Sequence, residues 1–431
     1  MINVTAICLL IGLLFFFLII RVPIAFSLGL STMITALYLK LPAMVVTQQM
    51  VKGINSFSLL AIPFFILAGE IMGEGGISKR LIDFSNVIVG RLRGGLAMVN
   101  VLASMFFGGI SGSSVADTSS IGSIMIPMME KQGYDKDYSI NVTITSSTQG
   151  VIIPPSHNVI IYSLAAGGLS VGKLFLGGMI PGIFLGLALM ALSYAIAVKR
   201  NYPKGEKISF SEAKKIVRES ILGLFTAVII MGGVISGIFT ATESSAIAAV
   251  YAFIITFFVY KDIPMKRMGV ILRNSLKTLS MVIAVIATSS AFGWMMAYLK
   301  IPALVTNSLI SLSDNKYVIL LIVNLILLLL GMIMDMAPLI LITTPILLPV
   351  VTKVGMDPIQ FGIVMMLNLG IGLITPPVGS TLFVGCSIGG AKIEDIAKSL
   401  FPFYALMFIV LMILTFIPEI TTFLPNLIMG K

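Results

Sequence analysis

Two stretches of this sequence place oxygen-bearing side chains inside otherwise apolar chain. The first is FFGGISGSSVADTSS, Phe106 to Ser120. Ser111, Gly112, Ser113 and Ser114 in succession disfavour a helical turn. Unwound backbone at membrane depth is tolerated only where it is buried in protein or lines a watery cavity. The carbonyls it frees, with the serine hydroxyls, are hard oxygen ligands suited to Na⁺. The helix that restarts beyond the turn offers its positive end to an anion. Small-residue helix packing is the structural alternative, but these serines lack its periodicity. The second stretch is LLGMIMDMAPLILITTP, with Asp335 in a long apolar run. A carboxylate at the bilayer centre costs roughly 2.5–3.5 kcal/mol on insertion scales, which a cation or a set of donors offsets. Pro338 suits a helix restart, so Asp335 reads as a cation ligand, as the cap of the following helix, or as both.

Two proline pairs sit near these stretches, in GVIIPPSHN (150–158) and GLITPPVGS (372–380). Adjacent prolines remove two backbone donors and bar helical geometry from the residue before each. Each pair therefore breaks a span near its middle, exposing carbonyls of one piece and amides of the next. Thr148, Ser156, Asn158, Thr375 and Ser380 bring further oxygens to the breaks. A proline kink without a ligand role is the alternative. His157, the single histidine, follows the first break and either touches substrate or donates inside the core.

Other chemistry is excluded or peripheral. One histidine rules out a multi-histidine metal site, and Cys8 and Cys386 form no disulfide framework or zinc spacing. No phosphate-binding G-x-x-x-x-G-K-[ST] loop and no nucleophile–base pair occurs in the spans. The chain is not expected to be an enzyme, and transport energy must come from an ion gradient or another chain. Glu243 reads as a span cap, Glu70 and Glu74 as loop or partner-facing groups, and Trp294 as an interfacial anchor.

The elements that position these groups follow from composition. Hydrophobic residues make up 58% and charged residues 11% of the 431, against about 25% charged in soluble domains. Apolar runs near the roughly 20 residues needed to cross a bilayer recur at 4–20, 22–39, 57–73, 172–198, 221–240, 243–260, 278–299 and 399–418. The fold class is an all-α polytopic membrane protein, and its net charge of +10 is dispersed among spans rather than forming a nucleic-acid footprint. The N-terminus lacks a basic region and a small-residue cleavage site, and reads as a first span rather than a cleaved signal.

Sliding the sequence by 222 positions sets Pro154-Pro155 on Pro376-Pro377, Gly150 on Gly372, Pro127 on Pro349, Gly133 on Gly355 and Ser113 on Asp335. Coincident glycines and prolines imply a repeated backbone path. The domains are a first repeat, 1–198, with a hairpin at 94–130 and a broken helix at 138–166; a linker, 199–220; and a second repeat, 221–431, with a hairpin at 317–352 and a broken helix at 359–388. If each hairpin enters and leaves on one side, each repeat has five crossings and the two are inverted. With the N-terminus outside, 21 of the 28 basic residues fall inside; Lys40, Lys52, Lys173, Lys300, Lys316, Lys353 and Lys431 fall outside. That bias fits the positive-inside rule and favours re-entrant hairpins in two inverted-topology repeats, with both termini outside. The linker, KRNYPKGEKISFSEAKKIVRES, holds the pattern of a capped helix start in SFSEAKK but is taken as a solvated connection. Interrupted helices meeting at the midplane are the pattern of inverted-repeat secondary transporters.

With FGGISGSSVADTSSIGSIMIPMM, GVIIPPS, GIFTATESSAIAAVYA and GLITPPVGSTLFV, the sequence resembles, over essentially its whole length, the large membrane subunit of tripartite ATP-independent periplasmic (TRAP) transporters. The resemblance implies a Na⁺-coupled importer of organic acids in the bacterial inner membrane, such as C4-dicarboxylates, sialic acid or other sugar or keto acids. It implies an elevator of scaffold and transport domains. The expected partners are a small four-helix membrane subunit, separate here because the chain opens directly on its first scaffold span, and a soluble periplasmic substrate-binding protein. Carried over by position, one Na⁺ site would use Ser111, Ser113, Ser114 and the break from Gly150 to Pro154. The other would use Asp335, carbonyls near Gly331, and Thr375 to Gly379. Substrate would lie between tips and breaks, near Gly112, Thr148, Pro155, Ser156, His157, Asn158, Pro376, Pro377 and Ser380. No arginine occurs in these segments, so a carboxylate would rely on helix ends, hydroxyls, His157 and bound Na⁺. A stand-alone Na⁺- or H⁺-coupled symporter or antiporter of the same architecture is the competing expectation.

Overall fold

Several helices begin where the sequence supplies a cap. Thr240 and Glu243 form a reciprocal capping box at the head of Ala241–Ile254. The Asp357 carboxylate accepts from the amides of Ile359 and Gln360, at 2.7 and 3.3 Å, ahead of Pro358 at the first helical position. Ser209 accepts from Glu212 and starts Phe210–Ile235. This last helix corrects the reading of the linker as solvated throughout: residues 210–220 are the opening turns of a 26-residue helix that continues into the next span. The cap and the apolar period beyond it outweigh the local charge.

The computed structural model describes residues 3–205, 207–313 and 315–430. Lys431, counted above among the outer basic residues, and Glu206 in the linker lie outside the described residues. The described chain is all-helical; its only β pairing is one antiparallel bridge between Arg93 and Lys204. Six helices have the length and hydropathy to cross a membrane, and a seventh arises if Ile393–Ser399 and Phe401–Phe416, bent by 57°, count as one span. Two helices were not expected, Ala43–Ile54 and Glu419–Met429. The span read as 278–299 begins at Met268, so Arg273 and Lys277 lie on its first turns.

Hairpin and break geometry recurs. Gly95–Ser111 turns at Gly112, φ +62°, into Ser114–Ser120 and Gly122–Lys131. Lys316–Gly331 turns through 332–335 into Met336–Lys353. Lys136–Ser147 runs through a 3₁₀ turn, Thr148–Val151, breaks at the prolines and resumes as His157–Ala165. Pro358–Leu373 breaks at its prolines and resumes as Ser380–Gly389. Both proline pairs carry a cis peptide bond.

In each half the first hairpin arm crosses the broken helix through two facing glycines. A Cβ at Gly150 would stand 2.9 Å from Gly108 Cα, and one at Gly372 would stand 2.5 Å from the Gly331 carbonyl carbon. Backbone against backbone leaves no space for a side chain and holds each tip beside its break.

Ion pairs pin several loops. Arg200 pairs with Asp135 at 2.8 Å and Asp137 at 3.2 Å, and Tyr202 donates to Asp135 at 2.7 Å. The Tyr202 hydroxyl and the Arg200 guanidinium hold the Asp135 carboxyl below its usual range. Arg80 pairs with Asp262 at 2.6 Å and stacks on Tyr260, and Arg267 pairs with Glu74 at 3.1 Å. Exposed pairs of this kind contribute about 0–1 kcal/mol each, so they fix loop positions more than they stabilise the fold. Lys316, Tyr317, Gly355 and Pro418 line a small cavity of about 60 Å³.

Gly372→Ala is expected to lower the melting temperature of the detergent-solubilised chain, through an overpacking cost of about 1–3 kcal/mol. Gly293→Ala, in a helix with nothing within 4 Å of the new Cβ, is expected to leave it unchanged or raise it slightly. Equal melting temperatures for Gly372→Ala and the parent would contradict the glycine crossing.

Candidate cation and substrate site

One helix inside the largely apolar core is polar. Every residue from Tyr138 to Ser147 is buried, and six of those ten are Ser, Thr or Asn. A hydroxyl buried in a helix can be satisfied by the carbonyl one turn back. Ser139, Thr143, Thr145, Ser146 and Ser147 all donate in this way, at 2.6–2.9 Å. Their protons are thus consumed, and their oxygen lone pairs remain available to the neighbourhood.

The first hairpin tip folds onto the first break. The Gly112 carbonyl accepts from Asn158 Nδ2 at 3.3 Å. A Cβ on Gly112 would lie 3.0 Å from Ser156 Cα and 3.1 Å from His157 Nδ1, so only glycine fits between them. Ser113 caps the following helix by accepting from the Ala116 amide at 3.3 Å, and Ser111 Oγ lies 3.4 Å from the Ser113 amide. Ser111, Gly112, Ser113, Gly150, Pro154, Pro155, Ser156, His157 and Asn158 are therefore brought together. Thr148 donates to the Thr145 carbonyl at 2.6 Å, on the turn that leads into the break.

The second tip meets the second break in the same manner. The Val378 amide donates to the Met332 carbonyl at 3.2 Å, which joins Gly331 and Asp335 to the segment Thr375, Pro376, Pro377, Gly379 and Ser380. Gly379 holds φ +47°. Thr375 donates to the Ile371 carbonyl, and the Tyr404 hydroxyl to the Ile374 carbonyl, both at 2.6 Å. Asp335 caps Met336–Lys353 by accepting from the Met336 amide at 3.0 Å. The two tips differ in access: Asp335, Pro377 and Val378 are exposed, whereas Ser111, Gly112 and Ser114 are buried.

The halves then interlock. His157–Ala165, from the first break, packs on Met336–Lys353 of the second hairpin, and Ser380–Gly389, from the second break, packs on Ser114–Ser120 of the first. At that second crossing Thr381 donates to Ser114 at 3.0 Å, Ser114 lies 3.0 Å from Ser147, and Thr118 donates to Ser147 at 2.7 Å. Sequence reasoning missed Thr381 and Ser147, because a contact across 267 residues leaves no local mark. It also missed Asp117, in plain view within the first tip's motif. Buried polar atoms without a protein partner cluster here: Ser156 Oγ, His157 Nδ1, Ser380 Oγ and both Asp117 carboxylate oxygens. Glu243 and Glu74 are occupied elsewhere, by the capping box and by Arg267, and Trp294 stacks on Tyr298.

Comparison with known proteins follows this geometry. The profile of the family described as "Tripartite ATP-independent periplasmic transporter, DctM component" matches residues 11–420. The uncharacterized protein YgiK of Salmonella typhimurium is 44% identical over 411 residues, which cover 95% of this chain and 94% of that protein. The isethionate TRAP transporter permease protein DctMQ of Oleidesulfovibrio alaskensis is 41% identical, over 94% of this chain and 64% of that longer protein. The C4-dicarboxylate TRAP transporter large permease protein DctM of Vibrio cholerae is 39% identical, over 99% and 98%. Among solved structures, the YdaH transporter of Alcanivorax borkumensis superposes with a TM-score of 0.57 at 14% identity, covering 85% of this chain and 86% of that one. That similarity speaks to fold alone.

In a Cys8→Ser, Cys386→Ser background, Asp335→Cys is expected to react rapidly with a membrane-impermeant maleimide and Ser114→Cys at least ten-fold more slowly. Comparable rates would contradict the open second tip and closed first tip.

Proposed function

The chain belongs to the DctM family of TRAP transporter large permease subunits, and from that premise we propose that it is the Na⁺-coupled membrane subunit of a binding-protein-dependent importer of organic acids. The family is one of permeases, not enzymes. The observation that carries the reading is the interlocked pair of breaks and tips: unwound backbone, hydroxyls and unpartnered polar atoms gathered at one crossing between the halves.

The donor set suits Na⁺, which takes neutral oxygens and carboxylates as hard ligands and is cargo here rather than a resident cofactor. Ser111, Ser113, Ser114 and the break from Gly150 to Pro154 would hold one ion; Asp335, Gly331 and Thr375 to Gly379 would hold the other. An organic anion would sit between tips and breaks, taking hydrogen bonds from Ser156, His157, Asn158 and Ser380. The relatives named for isethionate and for C4-dicarboxylates share a small anionic cargo. A sialic acid or another sugar or keto acid fits the same chemistry.

Alternating access would proceed as an elevator, with hairpins and broken helices moving against scaffold spans. The face of Ala61–Glu74 that meets the first hairpin supports this: a Cβ on Gly69 would stand 3.4 Å from Ser111 Cα, and one on Gly73 would stand 3.2 Å from Ser120 Oγ. Small residues at these two positions let the hairpin lie close against that helix. The two repeats would be inverted, the protein would lie in the bacterial inner membrane with periplasmic termini, and its partners would be a separate small membrane subunit and a periplasmic binding protein.

Proteoliposomes holding the chain with its small subunit are expected to take up labelled succinate, isethionate or sialic acid only when a cognate binding protein and an inward Na⁺ gradient are both present. Uptake without a binding protein would favour the stand-alone symporter, and uptake indifferent to Na⁺ would defeat the coupling. Asp335→Asn is expected to raise the half-saturating Na⁺ concentration at least ten-fold; an unchanged value would remove Asp335 from the site.

A further inference from the structure

Asp117 is fully buried, at 0% exposure, and neither of its carboxylate oxygens has a hydrogen-bond partner. It is not a tip residue but follows the tip on Ser114–Ser120, the short helix wedged between Gly95–Ser111, Lys136–Ser147 and Ser380–Gly389. A buried carboxylate without a counter-charge costs several kcal/mol, so this group takes up either a proton or a compensating cation. No Lys, Arg or His pairs with it among the described residues.

The surroundings state what kind of charge fits. The Ser104 hydroxyl lies beside the carboxylate, and its oxygen stands 3.2 Å from that of Ser146, whose proton goes to the Thr143 carbonyl at 2.9 Å. Ser147 gives its proton to the Ile144 carbonyl at 2.8 Å, Thr118 gives its proton to Ser147, and Thr381 gives its proton to Ser114. The protons of Thr118, Ser146, Ser147 and Thr381 are thus committed to other oxygens, and Ser104 is left as the neighbouring hydroxyl with a proton to share. Hydroxyl oxygens with committed protons, within a helical turn of a buried carboxylate, are complementary to a cation. A single negative charge among neutral oxygens balances one positive charge, and no group of three His, Cys, Asp or Glu side chains exists among the described residues to hold a transition metal.

We infer that Asp117 is the anionic partner of a monovalent cation held among the hydroxyls of Ser104, Ser114, Thr118 and Ser147, one helical turn behind the first tip. This rests on the Na⁺-coupled reading above and deepens it. The first hairpin then has a carboxylate of its own, as the second has Asp335, and the cation's charge partner lies deeper than Ser111 and Ser113. Because Ser114 also accepts from Thr381, a cation there ties the second break to the first hairpin, so occupancy on one half is felt by the other.

The test is a melting-temperature titration of the purified full chain, with NaCl replacing choline chloride at constant ionic strength. A ligand bound only by the folded state raises the melting temperature with its concentration. The parent is expected to gain stability with Na⁺. Asp117→Asn is expected to be at least as stable as the parent in choline, because an uncompensated charge is gone, and to need at least ten-fold more Na⁺ for half its shift. A merely structural aspartate would instead lower the melting temperature equally at every Na⁺ concentration, and that result overturns the inference. Ser147→Ala, which keeps the carboxylate, is expected to raise the half-saturating Na⁺ several-fold and serves if Asp117→Asn does not fold; an unchanged value there also overturns it. A parent without any Na⁺ response defeats the coupling reading and this inference together. A responsive parent matched by an equally responsive Asp117→Asn defeats the inference alone.

Discussion

Hydrocarbon offers no hydrogen bond to a carbonyl or amide that its helix has released, and this chain interrupts its helices at two tips and two proline pairs. Everything else in the fold answers that constraint. Glycine against glycine at 108/150 and 331/372 brings each interrupted segment within backbone contact of its neighbour, and the freed groups then find specific partners. Asn158 reaches the Gly112 carbonyl, Val378 reaches Met332, and the Tyr404 hydroxyl covers Ile374. The freed groups are thus partnered within the protein rather than left unsatisfied, as unwound backbone at depth must be.

From that constraint the chemistry follows. A helix broken inside protein presents carbonyl oxygens that no longer bond to their own chain, and the hydroxyl-rich helix from Lys136 to Ser147 adds side-chain oxygens whose protons are already committed. Such a place suits a desolvated cation and the ends of a small anion. Asp335 is exposed and Ser114 is buried, so the two tips differ in exposure.

Much of this was legible in the sequence because prolines and glycines dictate backbone geometry directly. The PP pairs marked both breaks, and Ser111 to Ser114 marked the first turn. Helices end at Ser111 and Gly331 and restart at Ser114 and Met336, beside the serines and the aspartate that the sequence singles out. What stayed hidden depends on tertiary packing. Thr381 and Ser114 meet only because each break crosses to the opposite hairpin. Asp117 lay within a motif whose serines drew the attention, and its meaning rests on full burial without a counter-charge, which no spacing encodes. The helix starting at Phe210 was misjudged because a charged run was weighed above the Ser209 cap that begins it. The choice among organic acids is unwritten in these residues because hydroxyls and helix ends recognise a carboxylate without regard to the rest of the molecule.

The central claim is that the interrupted helices of the two halves meet at one crossing, where Ser114 and Thr381 touch. A Ser114→Cys, Thr381→Cys pair in a chain lacking Cys8 and Cys386, with a protease site placed in the 199–220 linker, reads that contact directly in native membranes. The account predicts that mild oxidation joins the two halves, so that they stay together on a non-reducing gel after cleavage and separate on reduction. Halves that come apart regardless of oxidation would contradict it.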